Sequence, residues 1–165
     1  MKMKILAAVA VVVLAIAGAF VFTQKPAAPD VAFNTLQGQS FRTADLRGKV
    51  VLVNFWATTC TTCIKEMPGL QATHDKFKAR GFETVAVAMD YDPPAQVAAY
   101  VERSGLPFTF VLDRDGSIAR SFEGVRLTPT TYIVNKRGEI VQKILGEPDF
   151  TKLHALIDQL LAESA

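Results

Sequence analysis

Cysteine and histidine are scarce in this chain of 165 residues, with two of each. Cys60 and Cys63 have only two residues between them, so they cannot be the disulfide framework of a small secreted fold. The loop they close is too short to constrain an unfolded chain much. Charge of one sign is also lacking. Eighteen basic residues face 16 acidic ones for a net +2, and Lys2 and Lys4 supply that excess. A domain that is neutral beyond them, without Lys/Arg clusters, excludes nucleic acid as a partner. Internal repeats and low-complexity tracts are absent. What remains is half apolar, enough for one compact domain with a proper core.

The one long apolar run is N-terminal. Ile5 to Phe22 follows Met1-Lys2-Met3-Lys4 and contains no charged residue. As a helix it spans roughly 27 Å, close to the hydrocarbon thickness of a bilayer. Lysines before the run leave the N-terminus in the cytoplasm and export the rest. The expectation is a single-pass inner-membrane anchor over residues 1–24, with the catalytic domain on the periplasmic side. A cleaved signal peptide with Ala17-Gly18-Ala19 as its cleavage site is the competing reading. Both place the two thiols in an oxidising compartment. Residues 25–30 read as a Pro/Ala linker and residues 31–165 as the domain.

Within that domain, Phe33 to Arg42 reads as a small hairpin, and Thr43 to Gly48 as a turn capped by Thr43. Val50 to Phe55 is a β-branched run, the pattern of a strand buried on both faces. A helix is expected from about Cys60 to Arg80, kinked at Pro68 and closed by Gly81. A second buried strand follows over Phe82 to Met89, then a helix over Pro94 to Ser104 and a strand over Phe108 to Leu112. Thr130 to Asn135 and Glu139 to Leu145 form a hairpin around Lys136-Arg137-Gly138. The last helix, about Phe150 to Glu163, carries Leu153, Leu156, Ile157, Leu160 and Leu161 on one stripe. His74 falls in phase with Met67, Leu70 and Phe77, at the core edge, and His154 is expected to be exposed. Asp90-Tyr91-Asp92-Pro93-Pro94 reads as a turn capping the helix after it.

Two thiols this close are a redox pair, half of a metal site, or coincidence. The metal reading needs two more ligands, and no other cysteine exists. The junction decides in favour of redox chemistry, because Cys60 falls between a buried strand and a helix. Free N–H groups and the positive end of the helix dipole favour a thiolate there. Cys63 lies one turn on, where its sulfur reaches Cys60. Cys60 is therefore the expected nucleophile and Cys63 the thiol that resolves the mixed disulfide.

In this context the chain resembles the thioredoxin superfamily, specifically the TlpA-like membrane-anchored reductases that include the cytochrome c maturation thioredoxins. The resemblance runs from about residue 31 to 162. It rests on Val51 to Ala57, the Cys60–Cys63 pair, Lys65-Glu66-Met67-Pro68, Gly81-Phe82-Glu83 and Pro129-Thr130-Thr131-Tyr132. It implies an α/β fold: a thioredoxin-like mixed central sheet with helices on both faces, an N-terminal β-hairpin and an inserted helix and strand. It also implies that Pro129 is a cis-proline facing the disulfide, and that Thr128 presents backbone to the substrate chain. Trp56 is placed with them at the substrate side, and also reads as packing support beneath the active-site loop. The buried Asp usual in thioredoxins is here Asn54, which cannot take a proton. Glu66, one turn beyond Cys63, is the candidate replacement as proton acceptor. The aromatic usual before the first cysteine is Thr59, and Thr61-Thr62 lacks the frequent proline.

Two function classes remain. One is a reductase without cofactor or resident metal, acting on exported protein disulfides such as those of apocytochrome c or of copper-binding cysteines. A membrane electron donor would re-reduce it. The other is a copper-handling module that uses the same two thiolates. Peroxidase chemistry fits poorly, because Ala57 stands three residues before Cys60 where the peroxidase motif has Thr.

Overall fold

The computed structural model describes residues 25–164. The expected anchor or signal peptide lies outside the described residues. Among the described residues no helix is long and apolar enough to cross a membrane.

Strands β1 (Ala32–Asn34) and β2 (Ser40–Arg42) form the expected hairpin, apart from the main sheet. A 3₁₀ turn, Thr43–Leu46, follows. Its cap differs from the expectation. The Asp45 carboxylate accepts the Arg42 N–H at 2.7 Å, while Thr43 turns inward and accepts the Val31 N–H at 3.2 Å. Strand β3 (Val50–Trp56) is buried along its whole length, as a continuous apolar run at a sheet centre should be. Helix α1 (Thr61–Phe77) runs through Pro68 and ends in a 3₁₀ turn closed by Gly81, whose φ of 93° only glycine adopts easily. Then come β4 (Phe82–Ala88), α2 (Pro94–Ser104), β5 (Thr109–Leu112), α3 (Ser117–Ser121), β6 (Thr130–Val134), β7 (Ile140–Leu145) and α4 (Phe150–Ala162).

The main sheet has the order β5-β4-β3-β6-β7, parallel from β3 to β5 and antiparallel at β6 and β7. From β3 to β4 to β5 the chain steps in one direction. Right-handed crossovers therefore put α1 and α2 on the same face. There Met67, Leu70, Val97, Leu153 and Ile157 pack against Leu52, Trp56 and Phe110. Helices do lie on both faces, but unequally. The other face is covered by the β1–β2 hairpin through Phe33 and by the short α3 through Ile118 and Ala119.

Helix α3 has no counterpart in the expected elements. Its first turn is held by Asp113, whose carboxylate accepts the N–H groups of Ile118 and Ala119. The segment expected as a linker is bound along its length. Ala28 N–H donates to the Gly138 carbonyl, and the Pro26 carbonyl accepts from Ile140. His154 departs from its expected exposure. It is half-buried, with Nε2 2.9 Å from the Thr73 hydroxyl and its ring edge-on to Phe77.

Candidate active site

Three connections meet where the parallel strands end, the usual place for a site in such sheets. They are the loop from β3 into α1, the loop from β4 into α2, and the segment that enters β6. The register pairs Phe55 with Thr130. This puts Pro129 beside the end of β3, where the loop to the cysteines begins. The Thr128–Pro129 bond is cis, as the resemblance implied. Pro129 is buried and Thr128 half-buried.

Cys60 and Cys63 are joined by a disulfide with Cα atoms 5.2 Å apart. Cys60 is the N-cap of α1, and its Sγ accepts the backbone N–H of Cys63 at 3.1 Å. The same N–H stabilises a Cys60 thiolate when the pair is reduced, because the first N–H groups of a helix have no backbone partners. Cys60 is half-buried, whereas Cys63 is fully enclosed. An incoming sulfur can thus reach Cys60 and is screened from Cys63.

Asn54, Trp56 and Glu66 lie beneath the pair, and all three are fully buried. The Asn54 amide Nδ2 donates to Glu66 Oε1 at 2.9 Å and to the Thr131 hydroxyl at 3.0 Å. Burial pushes the Glu66 carboxyl up to about 7; the Asn54 amide opposes the rise and the Glu147 charge adds to it. Among the described residues, three buried polar atoms lack a partner: Asn54 Oδ1, Glu66 Oε2 and Trp56 Nε1. Asn54 and Trp56 are two residues apart on one strand, so their side chains share the face that meets α1. Trp56 packs tilted against Tyr100 and edge-to-face against Phe110 below the loop. This corrects its placement at the substrate side: with no exposed surface, it supports the loop from beneath.

Two residues outside the expected site, Asp92 and Thr58, take part. Asp92, almost fully buried, accepts both the backbone N–H and the hydroxyl of Thr58, each at 2.6 Å. It does not cap α2, which starts from Pro93 without a side-chain cap. No local pattern could have shown this bond, which joins residues 34 apart in sequence. Beside Thr58 a groove opens, lined by Ile64, Gln96, Ala99, Tyr100 and Arg103. Among the described residues no group of three or more His, Cys, Asp or Glu side chains converges as metal ligands would.

The arrangement is a dithiol–disulfide couple with one reachable sulfur, one enclosed sulfur and a buried carboxyl that titrates near neutrality. The Redoxin family pattern matches residues 23–157. The chain belongs to the Redoxin family. The thiol-disulfide oxidoreductase ResA of Geobacillus kaustophilus is 37% identical over 131 residues, covering 76% of this chain and 74% of ResA. A thioredoxin-type protein of Neisseria meningitidis, 39% identical, superposes with a TM-score of 0.78 over 86% of this chain and 93% of its own. A DsbE-type thiol:disulfide interchange protein of Chlorobium tepidum, 28% identical, gives 0.77 over 84% and 98%. The resemblance to the TlpA-like group of the thioredoxin superfamily is thereby borne out. This Redoxin chain is a thiol–disulfide oxidoreductase whose redox pair is Cys60–Cys63.

Proposed function

We propose that this oxidoreductase reduces disulfides in exported proteins, held at the outer side of the cytoplasmic membrane by its N-terminal apolar run. The Cys60 thiolate attacks one sulfur of a substrate disulfide. A mixed disulfide forms and the first substrate thiolate leaves. Cys63 then gives its proton to the Glu66 carboxylate and attacks Cys60 Sγ, releasing the second substrate thiolate. Two electrons pass from the dithiol to the substrate, and the Cys60–Cys63 disulfide remains to be reduced by a dithiol donor in the membrane. Thr128 and Pro129 offer the backbone edge along which the substrate chain lies. The substrates are cysteine pairs that must be thiols to take up haem, as in apocytochrome c, or copper.

One observation carries this reading: a carboxyl with a pKa of about 7 is buried one turn beyond an enclosed Cys63. A group that titrates there accepts a thiol proton at neutral pH without holding a permanent charge in the core. The direction rests on the setting. An oxidising compartment already holds strong oxidants, and an anchored thioredoxin adds reducing power there.

The equilibrium potential of the pair in glutathione or dithiothreitol buffers tests the direction. It is expected nearer thioredoxin's roughly −270 mV than DsbA's roughly −120 mV. A value at the oxidising end overturns the reductase assignment. A Cys63→Ser variant should trap substrates as mixed disulfides through Cys60, and capture through neither sulfur would remove the division of roles.

A further inference from the structure

We infer that Asp92 is a positioning residue for the nucleophile: through Thr58 it clamps the turn that delivers Cys60 to the N-terminus of α1. The inference rests on the reading of Cys60 as the attacking thiol and adds a residue to that reaction. The turn is Ala57-Thr58-Thr59-Cys60, closed by the Cys60 N–H donating to the Ala57 carbonyl at 3.1 Å. Thr58 is its second residue, and the Asp92 carboxylate grips it twice, by backbone and by side chain. Two acceptors on one planar group fix both the position and the tilt of the Ala57–Thr58 peptide and the side chain that follows it. Asp92 is itself held, since its N–H donates to the Met89 carbonyl and the Met89 N–H donates to the Trp56 carbonyl. The end of β4 and the turn after β3 thus form one rigid unit. Gln96 Oε1, 3.4 Å from the Thr58 hydroxyl, is a more distant alternative acceptor for its single proton.

A buried carboxylate costs free energy unless donors compensate it, and among the described residues both donors to the Asp92 carboxylate come from Thr58. The grip matters for chemistry because the helix N–H groups stabilise a thiolate only when Sγ lies against them. That effect falls off within the first turn. A loose turn lets Sγ drift, and less thiolate is present at neutral pH. Asp90, Asp113 and Arg114 line a small cleft together with Asp92. An Asp92→Ala change therefore alters the local charge, while Thr58→Ala leaves it in place. Charge alone would act the other way, since removing a carboxylate near a thiol favours the thiolate.

The test is alkylation of the reduced full-length chain by iodoacetamide across pH, with the modified cysteine identified by mass spectrometry. Asp92→Ala is expected to slow Cys60 alkylation at neutral pH by about tenfold and to move the thiol's titration upward. Thr58→Ala is expected to slow it by about threefold, and Thr58→Ser, which keeps the hydroxyl, to restore the native rate. An unchanged or faster rate in Asp92→Ala overturns the clamp. If that variant does not fold, Thr58→Ala decides: a native rate and native pH profile overturn it. Labelling of Cys63 in the unsubstituted protein would instead strike the proposed roles of the two thiols, so the two failures are distinguishable.

Discussion

At position 66 a carboxylate is fully buried, with one oxygen held by the Asn54 amide and the other unpartnered. Desolvation outweighs the single hydrogen bond, and the proton is retained up to about pH 7 rather than 4.5. The folded protein then holds a proton that the unfolded chain has released, and stability falls as pH rises through that interval. Glu66→Gln keeps the acceptor for Asn54 and removes the titration. Its denaturation midpoint should vary less between about pH 4.5 and 7 than that of the native chain. The same variant should resolve a preformed Cys60 mixed disulfide about a hundredfold more slowly at neutral pH. Native resolution in stopped-flow measurements would remove Glu66 as the proton acceptor. Asn54 and Glu66 could be singled out separately in the sequence, but their hydrogen bond could not. It joins a strand to a helix across the core, and neither residue type favours it locally.

Helix α1 must lie close to α4 for the cysteines to be held against the sheet, and Gly69 is the point of closest approach. A Cβ at that position would come within 2.3 to 2.8 Å of the outer carbons of the Phe150 ring. Thr73 adds a hydroxyl contact to His154 at 2.9 Å one turn further on. Gly69→Ala should therefore destabilise the protein by about 1–3 kcal/mol. Thermal unfolding checks this, and an unchanged midpoint would show that Phe150 moves aside freely. Phe150 opens α4 directly after its cap, where Asp149 accepts the N–H groups of Thr151 and Lys152. Asp149→Ala should cost about 1 kcal/mol. Periodicity disclosed α4 because its apolar stripe, from Leu153 to Leu161, is longer than two turns. It missed α3, whose five residues span too little helix for a period and whose first turn is capped from Asp113.

For the molecule as a whole, redox poise and stability are linked by a thermodynamic cycle. A folded pair that is more reducing than the same cysteines in an unfolded chain belongs to a protein more stable with its disulfide closed. The oxidised protein should therefore outlast the dithiothreitol-reduced one in urea, by about 1.4 kcal/mol for each 30 mV by which the folded pair is more reducing. Greater stability of the reduced form is the mark of a strong oxidant and would contradict the proposed direction.

What the sequence by itself determined is local: the buried strands, the helix stop at Gly81, and the placement of Cys60 at a strand-to-helix junction. These follow from side-chain periodicity and backbone preference, which act over a few residues. Only the tertiary structure decided what surrounds the sulfurs. The topology brings Glu66 against Asn54, Asp92 onto Thr58 and Pro129 beside the end of β3. Those contacts join residues 12 to 75 positions apart. Their energies come from burial and hydrogen-bond geometry that exist only once the sheet and its crossovers have formed. Cys60-Thr61-Thr62-Cys63 names the chemistry, and the packing around it sets how each sulfur takes part.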